Sequence, residues 1–292
     1  MTPDEYDYLR NLLRRRSGLV LTDDKRYLLE SRLSPIARRI GAADLSDLVR
    51  RLQATPSEGL VAEIVETMTT NESFFFRDKA PFEHFRDFIM PELLSKRQSE
   101  RRIRIWCAAA ATGQEPYSVA LFLSEMGNKL AGWEIEILAT DLSTEVLERA
   151  RSGFFSHFEV QRGLPIQLLL KYFSKAGDEW QIAPQIRAMV EFRPFNLLDD
   201  FSCLGVFDVV ICRNVLLYFG PDNKKNVLER LATSTAPDGF LMLGAAESVL
   251  GLSQRFRPLP NTRCLFARSN AAAFASATVV PFTPRRAAAG RG

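Results

Sequence analysis

Histidine is nearly missing from this chain: His84 and His157 are the only two in 292 residues. Cysteine is sparse as well. Cys107, Cys203, Cys212 and Cys264 form no CxxC pair, so no metal-ligating constellation and no Cys–His catalytic pair can be assembled from the sequence. Their plain reading is four small apolar residues in a core. Long apolar runs are missing too. The longest, residues 206–212 and 240–246, have the length of strands and cannot span a bilayer. Residues 1–16 are charged and hold no apolar signal core, so a soluble cytoplasmic protein without membrane insertion is expected. Net charge is close to nil. The formal +3 is supplied by Arg285, Arg286 and Arg291 in a tail, 271–292, that has no acid; the preceding residues balance. Nucleic-acid binding therefore gains no support.

What is present is ordinary globular composition, 46% apolar and 25% charged, in a length that suits two domains. The first 70 residues read as helices. Leu29, Leu33, Ile36 and Ile40 recur at helical spacing. Pro35 either kinks that helix or starts a new one with Ser34 as N-cap. Asp44 suits an N-cap for 45–52, and Leu60, Ile64 and Met68 form a further stripe. Lys25, Arg32 and Arg39, seven apart, share another helix face in a segment, 10–39, with nine basic and three acidic residues. That face could steer an acidic partner or be a solvated surface.

Helix signals stop at Thr69-Thr70-Asn71. Residues 71–97 read as a linker: a compact loop, then a helix with Phe82, Phe85, Ile89 and Leu93 inward and a bend at Pro91. From Arg102 strands and helices alternate: strands at 103–108, 134–140, 207–213 and 240–246, with helices at 115–126, 144–151 and 222–234. This is the pattern of a parallel sheet covered on both faces. Residues 263–268 suit a closing strand. The interruption at 158–194, with a helix at 165–173 and alternating runs at 179–182 and 189–193, reads as a small antiparallel insert. The Ala/Pro/Arg tail reads as disordered.

In open α/β sheets ligands bind outside the carboxyl ends of the strands. The first such end, 107–118, is rich in small residues, but its one glycine is too few for a dinucleotide fingerprint. A ligand with a cation and no phosphate suits a turn carrying Glu115; a tight turn without a ligand is the plainer alternative. The second strand ends at Asp141, placed to accept two ribose hydroxyls or to cap the next helix. Asn196 and Asn214 lie in two more converging loops. Tyr218, among leucines, reads locally as core. Arg77-Asp78 reads as a surface ion pair, and Phe74-Phe75-Phe76 cannot all face one core, so at least one must reach across a domain boundary.

Together, T-T-N-E-S-F-F-F-R (69–77), T-G-Q-E-P-Y-S (112–118), the acid at 141 and C-R-N-V-x-x-Y-F (212–219) resemble the CheR-type chemotaxis receptor methyltransferases. The resemblance runs in order from residue 1 to 268. It implies an α/β chain: an N-terminal helical receptor-recognition domain (1–70), then a Rossmann-like S-adenosylmethionine methyltransferase domain (98–270) with a small inserted antiparallel β-subdomain. It implies methyl transfer to glutamate side chains of methyl-accepting chemoreceptors; nothing in the sequence demands more than a monomer. Asn71, Ser73, Arg77, Glu115, Asp141, Asn196, Leu197, Arg213 and Asn214 would contact S-adenosylmethionine. Arg77 and Tyr218 would lie nearest the methyl, in place of their local readings. Given such a receptor, the local excess of positive charge on the Lys25, Arg32 and Arg39 face suits its acidic helices. Two departures matter. Family members often carry Ser or Cys where this chain has alanine at 108–111, which would remove a hydroxyl contact at Ala111. The insert turn, 174–179, is shorter than in members that dock on a receptor's C-terminal peptide, so no such tether is expected. The alternatives are a methyltransferase of the same fold with another acceptor and a non-catalytic S-adenosylmethionine-binding signalling adaptor.

Overall fold

The computed structural model describes residues 1–260, 262 and 264–269. Four helices come first: α1 (Pro3–Ser17), α2 (Arg26–Arg39), α3 (Leu45–Ala54) and α4 (Glu58–Met68). Thr2 and Glu5 form a capping box at the start of α1, and Gly18, in the left-handed region, closes it. Asp44 caps α3 by accepting the Asp47 N–H at 2.7 Å. Leu29, Leu33 and Ile36 are buried against Leu9, Leu13, Leu48 and Ile64. Each fully buried leucine contributes about 1.5–3 kcal/mol. Pro35 does not start a new helix. It lies inside an unbroken α2, with the Ser34 hydroxyl turned back to the Glu30 carbonyl.

The linker helix is α5 (Ala80–His84), a π-turn (Phe85–Ile89) and α6 (Met90–Lys96). The bend expected at Pro91 takes this form because Pro91 has no N–H for the carbonyl four residues back. The preceding turn widens instead, and the Met90 N–H reaches the Phe85 carbonyl.

The remaining chain builds β1 (Arg102–Ala108), α7 (Gln114–Met126), β2 (Glu134–Asp141) and α8 (Thr144–Ser152). It continues with β3 (Phe154–Ser156), α9 (His157–Gln161), α10 (Ile166–Tyr172), β4 (Phe173–Ala176), β5 (Glu179–Ile182), α11 (Pro184–Arg187) and β6 (Val190–Pro194). It ends with β7 (Phe207–Cys212), α12 (Pro221–Ser234), β8 (Thr235–Leu243), β9 (Phe256–Pro258) and β10 (Leu265–Arg268). One sheet has the order β6-β2-β1-β7-β8-β10-β9, the first five strands parallel and β10 antiparallel to both of its neighbours, β8 and β9. Alternate residues of β1 face opposite cores. Ile103, Ile105 and Cys107 pack with α7 and the linker helix, whereas Trp106 and Ala108 pack with α12. A strand buried on both faces reads as a continuous apolar run, which is why β1 and β7 are plain in the sequence.

Three expectations need correction. Residues 189–193 do not belong to the insert. They form β6, which pairs in parallel with β2 from Ile137↔Val190 to Asp141↔Pro194. Being an edge strand it buries only Val190 and Phe192, and so shows the alternation of an antiparallel strand. The insert begins earlier than residue 158 and is a three-stranded sheet, β3-β5-β4. Strand β9 was not expected. The tail and Arg263 lie outside the described residues.

The three phenylalanines separate as their polar neighbours require. Phe75 is fully buried against the insert, 5.0 Å from Phe155 and 5.7 Å from Phe173 between ring centres. Phe76 meets Phe82, and Phe74 lies under Arg77 and Arg162. Gly163 of the insert approaches this loop so closely that a Cβ would stand 2.1 Å from the Phe75 carbonyl oxygen.

Candidate active site

The loops after β1, β2, β6 and β7 and the loop after α4 surround one cleft. The turn after β1 places Ala109 at φ 63°, Ala111 at φ 48° and Gly113 at φ 94°. Left-handed backbone costs a non-glycine residue about 1–2 kcal/mol, so something must hold it. Asp141, at the end of β2, does so. One carboxylate oxygen accepts the Ala111 N–H at 2.9 Å and the other the Ser143 N–H at 3.0 Å. Asp141 is therefore not the cap of α8; Ser143 is. Burial raises the Asp141 pKa above the usual value, with these N–H groups opposing the shift.

Arg213, with a side chain wholly out of solvent, sits between two acids: Nη1 is 2.6 Å from Glu115 and Nη2 is 2.7 Å from Asp78. Nη2 also donates to the Arg77 carbonyl at 2.9 Å, which ties the 69–78 loop to the end of β7. The surface pair read into Arg77-Asp78 is absent; Asp78 belongs to Arg213, and Arg77 donates to the Glu72 carbonyl at 3.0 Å. Burial pushes the Glu115 pKa up, and Arg213 opposes it.

The other loops are held just as closely. Asn196 accepts the Leu198 N–H at 3.0 Å and donates to the Arg16 carbonyl at 2.7 Å. Buried Leu197 belongs to a loop whose carbonyls are gathered by Arg230 of α12. Asn214 takes φ 59° just beyond β7, and Tyr218 follows in a 3₁₀ turn.

All the residues expected to meet cofactor or methyl line this cleft: Asn71, Ser73 and Arg77 from one loop, Glu115 and Asp141 from two strand ends, and Asn196, Leu197, Arg213, Asn214 and Tyr218 from the rest. The helical domain adds Ser17 and Leu19 to the wall. It is stitched on by a Leu19–Phe219 bridge and by the Val20 N–H on the Tyr218 carbonyl at 2.9 Å. Glu66 at the end of α4 accepts the Thr144 N–H at 3.2 Å and so caps α8 from the other domain. Sequence reading missed Asp78 as a partner, Glu66, Arg230 and Glu247. All act across distances in sequence that carry no local pattern.

The shared basic face is corrected. Lys25 is exposed in a 3₁₀ turn ahead of α2. Arg32 turns inward and donates to the carbonyls of Met68 at 3.0 Å and Thr69 at 2.8 Å, capping α4. Arg39 is paired with Glu63. The seven-residue spacing points the two arginines at α4, and none of the three lines the cleft.

The donor set fits a cationic nucleoside. Two buried carboxylates face the cleft, and the Nε of Arg213 is buried without a hydrogen-bond partner. Among the described residues no group of three or more His, Cys, Asp or Glu could hold a metal, and no helix is long and apolar enough to cross a membrane.

Comparisons of the sequence with known families and relatives point the same way. Residues 71–265 match the model of the CheR methyltransferase SAM binding domain, and residues 4–69 that of the CheR methyltransferase all-alpha domain. The chain is 39% identical over 257 residues to the chemotaxis protein methyltransferase Cher2 of Pseudomonas putida, covering 87% of this chain and 93% of the relative. It is 33% identical over 254 residues to the chemotaxis protein methyltransferase of Escherichia coli, covering 85% of each. Among solved structures, a TehB-like SAM-dependent methyltransferase from Corynebacterium glutamicum aligns at 15% identity and a TM-score of 0.35, over 62% of this chain and 88% of that one.

Proposed function

The chain belongs to the CheR methyltransferase family, and we propose from this premise that it methylates glutamate side chains on the cytoplasmic helices of chemoreceptors, forming methyl esters. The observation that carries the reading is the chemistry of the cleft: buried acids, a guanidinium, Arg77, that bonds a carbonyl and no carboxylate, and one phenol, with no His or Cys among the described residues of the lining. A glutamate acceptor has a reference pKa of about 4.3 and is ionised at neutral pH, so it needs no general base.

S-adenosylmethionine, when bound, supplies a methyl group activated by a sulfonium. The methyl would pass to a carboxylate oxygen with the C–S electron pair left on sulfur, so no residue of the protein would have to move a proton. The protein's part is to bind, align and dry the two reactants, for which effective molarity supplies about 7–11 kcal/mol. Glu115 and Asp141 would hold the cationic nucleoside, with Asn71, Ser73, Asn196, Leu197, Arg213 and Asn214 around it. A cation held too tightly on the acceptor would stabilise the ground state more than the neutralised transition state. Arg213 is kept from that role, because Glu115 and Asp78 already balance it. Arg77 bonds a carbonyl and no carboxylate among the described residues, so it is free to orient a carboxylate, of the acceptor or of the cofactor's methionine. Tyr218 would donate one positioning hydrogen bond near the methyl. Alanine at 111 leaves the backbone anchor of this turn in place, since its N–H is already on Asp141.

Two predictions follow from these placements. Arg77→Ala and Tyr218→Phe each lower kcat on a receptor cytoplasmic fragment by about 10–100-fold while the variants stay folded. Mass mapping of the fragment should find glutamates one methylene heavier with the parent enzyme and few with the variants; equal modification by all three would remove both roles. The second concerns docking. The β4–β5 hairpin turns on Gly177 and Asp178 alone, with Gly177 at φ 64°. We expect no tight binding of a receptor C-terminal peptide in calorimetry and equal methylation of receptors with and without it. Saturable tight binding would restore the tether.

A further inference from the structure

One buried acid is not used by the chemistry above. Glu247 lies in the loop after β8, and only 8% of it reaches solvent. Its carboxylate accepts four backbone N–H groups. One oxygen takes those of Asn214 at 2.8 Å and Gly244 at 2.7 Å; the other takes Val215 at 2.9 Å and Leu217 at 3.2 Å. Charge-assisted bonds of this kind are short and directional. Three of the four donors belong to the turn between β7 and Tyr218. That turn needs such a grip, because Asn214 sits in left-handed backbone and its neighbours must over-determine it. The helical domain holds the far end of the same turn through the Val20 N–H on the Tyr218 carbonyl. Gly244 completes the clasp: a Cβ there would stand 2.7 Å from the Asn214 side-chain nitrogen, 2.8 Å from the Glu247 carboxylate and 2.9 Å from the Asn214 backbone nitrogen.

We propose that Glu247 is a positioning residue for methyl transfer, setting the turn that presents Asn214 and Tyr218 to the cleft. The proposal rests on the reading that Tyr218 lies beside the reacting atoms. A carboxamide has one acceptor oxygen and turns an NH₂ group toward N–H donors, so Glu247→Gln keeps the shape and breaks two of the four bonds.

The test uses full-length Glu247→Gln, Tyr218→Phe, their double variant and Gly244→Ala, with kcat and the KM for S-adenosylmethionine normalised to folded protein by circular dichroism. Glu247→Gln should lose about tenfold in kcat. The double variant should then lose no more than the larger of the two single losses, because the phenol is already misplaced. Gly244→Ala should reproduce the loss by pressing on the same clasp, and it carries the test if Glu247→Gln does not fold. Parental kcat in both single clasp variants overturns the proposal. So does a double variant whose losses multiply, since the two residues would then act independently. If Tyr218→Phe alone keeps parental kcat, the Tyr218 reading fails. The positioning role then stands only if Glu247→Gln raises the KM for S-adenosylmethionine through Asn214, and a parental KM would end it.

Discussion

Asp141→Asn should weaken S-adenosylhomocysteine binding by about 100-fold, as measured by calorimetry. Two terms combine. The carboxylate is the acceptor proposed for both ribose hydroxyls, and a hydrogen bond to a charged group contributes about 1.5–3 kcal/mol. The same carboxylate holds the Ala111 and Ser143 N–H groups, one on each oxygen. An amide must turn its NH₂ toward one of them, so the left-handed turn at Ala109 and Ala111 loses an anchor. Acidification should act in the same direction. Burial raises the Asp141 pKa, and the ionised form is the better acceptor. Affinity in the parent is therefore full above that raised value and falls as pH drops through it, earlier than for an ordinary carboxylate. In Asp141→Asn this part of the pH dependence should vanish. A variant that binds like the parent would remove Asp141 from the site.

Arg213→Met is expected to have the largest effect on stability. The parent guanidinium is wholly buried between Glu115, whose side chain is 11% exposed, and the more open Asp78, 36% exposed. Removing one partner of a buried pair costs about 3–5 kcal/mol, because the remaining charge is left uncompensated. Most of this is assigned to Glu115, since water screens Asp78. A melting temperature lower by about 10 °C corresponds to that loss. The pH dependence gives the prediction its sign. Burial already raises the Glu115 pKa and Arg213 opposes it, so without Arg213 the value rises further. A carboxyl group with a folded-state pKa above its unfolded one takes up protons more readily when folded. Its penalty is full above the folded value and is relieved as pH falls through it. The deficit of Arg213→Met should thus shrink on mild acidification. A deficit that widens there would mean that Glu115 is not the charge left behind.

Much of the site was legible before the fold because its chemistry is local in sequence. Asp141 follows its strand directly, Glu115 opens the helix after β1, and Asn214 stands just past a strand apolar on both faces. What could not be read depends on direction. Strand β6 reads from sequence as part of the insert because an edge strand and an antiparallel strand alternate alike. Arg32 reads from sequence as part of a partner-facing surface because spacing fixes a face and not what that face meets; here it meets the last turn of α4. Arg77 and Asp78 are adjacent, so a pair was natural, yet Asp78 is claimed by a residue more than a hundred positions away. Glu247 offered no signal at all, since an acid past an apolar strand is commonplace and its four donors come from two loops.

The central claim is that this cleft delivers a methyl group to a carboxylate. The most direct measurement incubates the full-length protein and methyl-labelled S-adenosylmethionine with a receptor cytoplasmic fragment, then treats the washed fragment with alkali. The account predicts label that enters the fragment only with the protein present and leaves it as volatile methanol. Label that resists alkali, or no label from a protein that still binds S-adenosylhomocysteine, would contradict it.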